Sequence, residues 1–445
     1  MKWQPYPKYK DSGVEWLGEV PAHWKIGPLK RFVMQRPGAI KTGPFGSQLT
    51  SAEMREGPVK VYNQRSVIDG DFSAGENYIS DQKFGLLKAF ETFPGDLLVT
   101  TRGTIGRAAV LPLDAEQGIL HPCLLRVQVD PSILMARYLQ FLVQDSHLLR
   151  TQLDLASNAT TIDVIYSETM SNLLLAIPPL PEMAFLAGFL NRETARIDTL
   201  IAKQERLIEL LQEKRQALIS RAVTKGLNPD AAMKPSGVDW LGDVPAHWEV
   251  IRHKILFHEI DQRSDSDEGT LLTVSHITGV TPRSEKNVNM FLAETLEGYK
   301  RCRTGDLVIN TMWAWMGALG TTKYDGLVSP SYNVYRPRDS KRLLPAYFDY
   351  LCRIPSYVAN LKANSTGVWE SRLRLYPDVF LSLMLCVPPV SEQGKIVEFL
   401  GSEVSRIAAL VAKARQSIEF MREHRTALIS AAVTGKIDVR EPSHA

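Results

Sequence analysis

The stretch ETARIDTLIAKQERLIELLQEKRQALISRAVT, residues 193–224, decides the fold of this chain. From residue 182 to residue 224 there is no proline and one glycine, and apolar residues recur at alternating steps of four and three, the spacing of a coiled-coil seam. The seam positions are Ile197, Ile201, Gln204, Ile208, Leu211, Arg215, Leu218 and Ala222. A Pro-Pro pair precedes the stretch and Gly226 and Pro229 follow it, so the sequence predicts one long helix over 179–226.

The same rhythm returns near the end of the chain and predicts a second long helix over 389–437. Its seam positions are Ile407, Val411, Ala414, Ile418, Met421, Arg425, Leu428 and Ala432. Two such helices in one chain pack most simply on each other, as an antiparallel coiled coil. The alternative is that each is an amphipathic helix lying on the core of its own domain. The narrow stripe, sustained over about four heptads and carrying Gln204, Arg215 and Arg425, favours the coiled coil.

Duplication extends well beyond the helices. SGVEWLGEVPAHW (12–24) returns as SGVDWLGDVPAHW (236–248) with two Glu-to-Asp differences. GDLLVTTRGTIGRA (95–108) parallels GDLVINTMWAWMGA (305–318), and AIPPLPE (176–182) parallels CVPPVSE (386–392). The last two pairs share an offset of 210 residues (95 to 305), as do the helix ends, whereas the first pair is offset by 224 (12 to 236). The chain therefore alternates variable and matched segments.

The variable segments are patterned as globular domains. Runs with high β-propensity occupy 59–67, 95–101, 269–277 and 305–311, and helical patterns occupy 135–153 and 344–361. The predicted fold class is α+β: two globular α/β domains separated by two long helices that form an antiparallel coiled coil, as a pseudo-two-fold tandem repeat. The predicted segments are a first domain at 1–178, a first long helix at 179–226, a second domain at 227–388 and a second long helix at 389–437.

Composition limits the class of protein. With 445 residues, 44% hydrophobic and 23% charged, the chain is predicted to be a soluble globular protein of about two to four domains. A net charge of +3 permits a nucleic-acid partner only if positive charge is local. Four scattered cysteines, no signal-peptide core at the N-terminus and no apolar run near ~20 residues predict a cytoplasmic protein without disulfides, metal or membrane span.

No catalytic constellation is recognisable. The sequence lacks a phosphate-binding loop, a His-Glu-x-x-His helix and an Asn-Pro-Pro-aromatic methyltransferase motif, and GTIG (103–106) is not a full dinucleotide fingerprint. His23 and His247 occupy matched positions, each without a carboxylate or cysteine at motif spacing, and structural roles are predicted for both. The chain is predicted to bind and position other molecules rather than to catalyse a reaction.

These residues carry a resemblance to a known family. The alternation of variable and helical segments, the matched phrases and GPFGSQL (43–49) together resemble the specificity subunit of type I restriction–modification enzymes, over essentially the whole chain. The resemblance implies two target recognition domains, a non-catalytic subunit that binds double-stranded DNA, and no cofactor of its own. It also implies two methyltransferase subunits that use S-adenosylmethionine and two restriction/translocase subunits that use ATP and Mg. GPFGSQL has no counterpart at 258–274, so its role does not transfer to the second domain.

The arrangement predicts how such a chain reads DNA. Each variable domain reads one half of an asymmetric bipartite target, and the coiled coil sets the spacer and docks the methyltransferase subunits. If both domains approach one face of the duplex, the half-site centres lie about one turn, ~10 bp, apart. The alternative is a coiled-coil scaffold that presents two protein-interaction domains and binds no DNA. A steep loss of DNA affinity with salt distinguishes the two, because phosphate contacts release counterions.

Polar and cationic residues in the divergent segments are the predicted DNA contacts, since Arg, Asn and Gln pair with base edges. In the first domain they are Lys41, Gln48, Asn63, Arg65, Arg102, Thr104, Arg107, Ser157, Asn158 and Thr160. In the second domain they are Arg263, His276, Lys323, Tyr324, Asn364, Ser365, Arg372 and Arg374. The matched phrase at 12–24 and 236–248 is nearly identical in halves that must read different bases, so it is predicted to be a structural clamp built on Trp16, Leu17, Pro21 and Trp24 and on Trp240, Leu241, Pro245 and Trp248.

Overall fold

The chain folds as two compact units that each contain half of both long helices. In a computed structural model the described residues are 3–145, 148, 151–152, 164–266, 268–286, 295–339, 341–369 and 373–442. The first unit is Met1–Gln204 with Gln416–Ala445, and the second is Glu205–Arg415. The first long helix is Leu180–Lys225 and the second is Val390–Val433. No helix of the described part is both long and apolar enough to span a membrane.

Two four-stranded sheets form the globular part of the first unit. The first sheet is antiparallel, in the order Ala108–Val110, Leu97–Thr100, Leu124–Val127 and Ile40–Thr42. The second has the order Tyr78–Ile79, Val59–Tyr62, Gly118–Leu120 and Glu91–Thr92, with its central pair parallel. Three two-stranded pairs frame them: Trp3–Gln4 with Asp438–Pro442, Tyr9–Asp11 with Glu19–Pro21, and Lys25–Pro28 with Leu174–Ile177.

Short helices connect these strands. They are Leu29–Arg31, Gln64–Asp69, Asp81–Leu87, Lys88–Phe90, Ala136–Gln140, Phe141–Asp145 and Ser167–Ser171. The segment 59–67, predicted to be β throughout, continues after Val59–Tyr62 as a helix. The side chain of Asn63 accepts the backbone N–H groups of Arg65 and Ser66, and this N-cap starts the helix.

One antiparallel four-stranded sheet dominates the second unit, in the order Phe257–Ile260, Tyr332–Pro337, Leu307–Asn310 and Leu319–Thr321. The two-stranded pairs are Met233–Pro235 with Asp243–Pro245, Glu249–Arg252 with Met384–Val387, Leu272–Ser275 with Gly279–Pro282, and Lys300–Cys302 with Gly326–Val328. The short helices are His253–Leu256, Arg283–Glu285, Ala314–Met316, Pro345–Leu351, Pro355–Ala363 and Pro377–Ser382.

The long helices pair antiparallel, which confirms the predicted fold class. In the first unit, Ile197 near the start of the first helix shares a core with Leu428 near the end of the second, and Arg425 lies 3.1 Å from Asp198. In the second unit, Val223 near the end of the first helix shares a core with Ile396 near the start of the second. The ends of both helices also pack in the cores of the globular domains. At its ends, each helix therefore also has the alternative role of an amphipathic helix on a domain core.

Burial along the two helices follows the predicted seam. In both helices the seam positions are buried or half-buried, with one exception. Arg215 is exposed, whereas its counterpart Arg425 is half-buried against Asp198. A long cationic side chain keeps its charged end in water unless an anion compensates the charge, and Asp198 provides that compensation for Arg425.

A buried histidine distinguishes the second core from the first. Leu29 and His253 occupy matched positions at the start of a short helix, and both are fully buried. Each donates its backbone N–H to a matched carbonyl, Leu173 at 2.8 Å and Leu383 at 2.9 Å. His253 Nδ1 lies 2.9 Å from the Phe380 carbonyl oxygen, while Nε2 has no hydrogen-bond partner among the described residues. Burial lowers the pKa of His253 to about 4.

Replacement of His253 by Leu is expected to reduce the acid sensitivity of the second unit. The unfolded chain takes up a proton near pH 6.5, but the folded chain does not until pH is about 4, so His253 lowers stability as pH falls between these values. At pH 5 this amounts to about 2 kcal/mol. Urea unfolding of wild type and His253→Leu at pH 7.5 and 5 measures the difference. The exposed His276→Leu is the control, and equal pH dependence in all three proteins would contradict the expectation.

Candidate nucleic-acid interface

The first copy of the matched phrase, residues 12–24, binds a glutamate in the first turn of the first long helix through hydrogen bonds. Glu182 Oε1 accepts hydrogen bonds from the Trp24 indole at 2.9 Å and the Tyr6 hydroxyl at 2.7 Å. Its other oxygen lies 2.7 Å from His23 Nε2 and 3.3 Å from the Arg440 guanidinium. Glu182 is buried, and a carboxylate at a helix N-terminus is also favoured by the helix dipole.

The second copy, residues 236–248, binds the equivalent glutamate in the same way, but this glutamate has fewer hydrogen-bond partners. Glu392, in the first turn of the second long helix, accepts from the Trp248 indole at 3.1 Å and lies 2.7 Å from His247 Nε2. The two histidines thus have the carboxylate partners that short-range sequence spacing did not reveal. The partners lie 159 and 145 residues away along the chain, which is why no local motif could predict them.

The phrase also packs on the end of the opposite helix in each unit. A Cβ on Gly435 would meet Pro21 at 2.3 Å and the Trp24 ring at 3.3 Å, and one on Gly226 would meet the Trp248 ring at 3.3 Å. Both glycines have positive φ, at 72° and 75°, as a helix terminator requires. Trp24 and Trp248 are fully buried, so neither is available to stack on a base.

The Gly-Asp-Leu element supports the central strand of each sheet through its aspartate. Asp96 accepts the Phe93 backbone N–H and the Gln128 side-chain amide, and burial raises its pKa. Asp306 accepts the Arg303 backbone N–H and forms a two-bond ion pair with Arg336, at 2.8 Å for each bond. These contacts fix the strand from which the next loop projects.

The loop after that strand carries predicted DNA contacts in the first unit. Arg102, Thr104 and Arg107 are all exposed there, in residues 101–107. The loop is held from two sides: the Thr101 carbonyl accepts the Ile165 backbone N–H at 2.9 Å, and the Gln64 side chain donates to the Arg102 carbonyl. The second contact brings the helix that begins after Asn63 against the loop.

The other predicted residues of the first unit have diverse surroundings. Arg65 is exposed and pairs with Asp69 at 3.1 Å, Asn63 is the helix cap, and the Lys41 amino group lies 4.9 Å from the Phe90 ring centre. Gln48 is exposed and accepts the Phe45 backbone N–H at 3.0 Å. Ser157, Asn158 and Thr160 lie outside the described residues.

The matching loop of the second unit is built in the same way but has different chemistry. The carbonyl of Thr311, the first residue of the loop, accepts the Leu375 backbone N–H at 3.2 Å. Both residues lie 210 positions after Thr101 and Ile165, which form the equivalent hydrogen bond in the first unit. Met312 and Trp313 then line a cavity of about 560 Å3 together with Arg374, which was predicted, and Tyr376, which was not. Trp313 is 48% exposed.

The remaining predicted residues of the second unit are spread over several turns. Arg263 pairs with Asp261 at 3.2 Å, and His276 is exposed in the turn after Leu272–Ser275. Lys323 and Tyr324 are exposed after Leu319–Thr321, while the side chains of Asn364 and Ser365 donate to backbone carbonyls of the preceding helix at 2.8 Å. Arg372 lies outside the described residues.

Sequence reasoning missed Met312, Trp313 and Tyr376. It selected Arg102, Thr104 and Arg107 of GDLLVTTRGTIGRA but no residue from the parallel phrase GDLVINTMWAWMGA. The signal was the alignment itself, since Met312 stands 210 residues after Arg102, at the matching position after the matched strand.

The fold and the matched loops define a class of protein: a tandem pair of α/β units on an antiparallel pair of long helices, each offering one equivalent loop of different chemistry. No family model matches the chain. It is 24% identical over 400 residues to the EcoKI specificity subunit of a type I restriction enzyme from Escherichia coli K12, covering 85% of this chain and 82% of that protein. Matches to two further type I specificity subunits, from Methanocaldococcus jannaschii and E. coli, span only 53% and 37% of those proteins.

Solved structures share the fold. A chain from work described as the structural basis of complex assembly and conformational transition of the type I R-M system superposes with a TM-score of 0.70 at 16% identity, over 94% of this chain and 99% of that one. The HsdS subunit from Thermoanaerobacter tengcongensis gives 0.55 at 15% identity, over 94% and 98%. The predicted resemblance is confirmed: the curated homologues of this chain are type I restriction enzyme specificity subunits, and its fold is that of HsdS.

Proposed function

We propose that the chain is the DNA specificity subunit of a type I restriction–modification system and is itself non-catalytic. Each unit reads one half of an asymmetric bipartite target, and the paired helices set the distance between the halves. The observation that carries this proposal is the matched loop. The same strand, the same Asp support and the same backbone contact present Arg102 and Arg107 in one unit and Trp313 in the other. Two loops with the same backbone support but different side chains are suited to recognise two different half-sites.

Exposed apolar residues at matched positions of the two long helices favour the binding of two copies of one protein partner. Leu200 and Leu410 are each 44% exposed and are related by the 210-residue offset, as are the exposed Leu210 and Phe420. Apolar side chains at matched exposed positions favour two copies of one partner. We assign them to two methyltransferase subunits, with two restriction/translocase subunits joining the assembly in the cytoplasm. S-adenosylmethionine, ATP and Mg belong to those partners.

Profiling of methylated motifs in cells that express this chain with its methyltransferase partner tests the function. One bipartite motif with a fixed spacer is expected, and Arg102→Ala is expected to relax or weaken one half of it while the other half is unchanged. Binding by the purified assembly should fall steeply between 50 and 200 mM salt, by about 10³-fold if six or more phosphates are contacted. A methylation pattern that does not depend on this chain, together with salt-insensitive binding, would support the scaffold alternative.

A further inference from the structure

The second unit presents an aromatic surface that none of the predicted contacts explains. Trp313, Tyr376 and Met312 line the same cavity, and they are 48%, 50% and 37% exposed. Trp313 and Trp315 lie nearly parallel, with ring centres 6.5 Å apart and an interplanar angle of 16°. Large apolar side chains are costly to expose, and a cluster of them marks a surface that is covered in the functional state.

The charge around this surface points to a nucleic acid. Arg374 lines the cavity with Trp313, and the Lys362 amino group lies 5.7 Å from the Trp315 ring centre, within cation–π range. The lining among the described residues contains no carboxylate. A cation beside an exposed aromatic ring matches a base with its neighbouring phosphate, whereas an apolar protein face would leave Arg374 unpaired.

The position of the surface within the fold identifies which part of the DNA it meets. Trp313 lies in the loop that corresponds to residues 101–107 of the first unit, where Arg102, Thr104 and Arg107 are exposed. The two loops follow matched strands and have the same backbone support at Thr101 and Thr311, and the second loop is one residue longer than the first. If the first loop reaches the duplex, the second reaches it with a tryptophan where the first has hydrogen-bonding side chains.

We propose that Trp313 inserts against a base step in the half-site read by the second unit and partly unstacks it, with Arg374 on the adjacent phosphate. This inference rests on the proposed function. A tryptophan ring inserted by its face acts on base stacking rather than on base edges, so it selects sequence through the cost of opening a step. That cost is lowest at the flexible pyrimidine–purine steps TA and CA/TG. The first unit therefore reads its half mainly by hydrogen bonds, and the second reads its half partly by deformability.

Fluorescence of 2-aminopurine tests the wedge in the assembly of the full chain with its methyltransferase partners. The probe replaces each adenine of the target in turn on both strands, and every flexible step contains an adenine on one strand. Methyltransferase subunits extrude the base that they modify, so a rise at that base is expected with every variant. Wild type is expected to raise the fluorescence at one additional step, in one half-site only. Trp313→Ala is expected to remove that rise and to weaken binding about 10-fold, whereas Trp313→Phe keeps both.

A control variant removes an exposed apolar side chain elsewhere in the protein. Leu113→Ala removes another exposed apolar side chain, in the first unit, and is expected to bind as wild type does. Specific binding without this additional rise, or an additional rise that Trp313→Ala leaves intact, overturns the wedge while the proposed function stands. Failure of the wild-type assembly to prefer any sequence overturns the proposed function instead.

Discussion

Insertion of one heptad into each long helix is expected to lengthen the preferred DNA spacer by about 3 bp. Seven helical residues add about 10 Å, and B-DNA rises 3.4 Å per base pair. The insertion points are after Gln204 and after Arg415, where the chain passes between the two units. Repeating residues 198–204 and 409–415 there preserves the four–three rhythm of both seams. Site selection from a library with random spacers measures the shift.

The expected effect is large because one reader loses its half-site on the original target. Losing base-pair contacts worth about 4 kcal/mol weakens binding to that target about 1,000-fold. Insertion of seven flexible residues at 227–232, the linker beyond the first helix, is the matched control and should leave the spacer unchanged. Selection of the original spacer by the heptad variant, with undiminished affinity, would refute the role of the helices in setting distance.

Glu182→Ala is expected to destabilise the first unit by about 3–5 kcal/mol. The substitution strands the buried Trp24 indole N–H and the Tyr6 hydroxyl, and it leaves Arg440 with Asp438 as its remaining partner at 2.6 Å. Each buried donor without a partner costs about 1–3 kcal/mol. The loss also releases the start of the long helix from the phrase at 12–24. Urea unfolding, monitored by tryptophan fluorescence, measures the change in the free energy of unfolding.

The second copy supplies the matched control for this prediction. Glu392 holds His247 and Trp248 alone among these contacts in the described part of the chain, and its side chain is 24% exposed against 5% for Glu182. Water can replace part of what Glu392→Ala removes, so a loss of about 1–2 kcal/mol is expected. Equal losses for the two variants would show that the extra partners of Glu182 contribute nothing to stability.

Local periodicity predicted the parts of the fold that depend on neighbouring residues. The long helices, predicted at 179–226 and 389–437, occupy Leu180–Lys225 and Val390–Val433. The seam required only spacing, because side chains three and four apart share a helix face. The β-strand at 59–67 was wrong in its second half because the Asn63 cap outweighed β-propensity there.

Contacts between distant residues could not be predicted in the same way. Glu182 was not singled out, since its partners Trp24 and Arg440 stand 158 and 258 residues away. The predicted DNA contacts were chosen by residue type, which favours cations and amides. That criterion selects Arg102 and Arg374 and leaves out Trp313, whose exposed position becomes informative only when the two loops are compared.

The pairing of the two chain ends has a consequence for how such a gene can be rearranged. Trp3–Gln4 lies antiparallel to Asp438–Pro442 in the first unit, so segments from opposite ends of the sequence pair there, whereas the matching part of the second unit, residues 226–235, is one continuous segment. Joining the old termini and opening the polypeptide at 228–231 would yield a circular permutant with every helix and sheet intact. The fold is therefore expected to be the same whichever half of the protein comes first in the sequence.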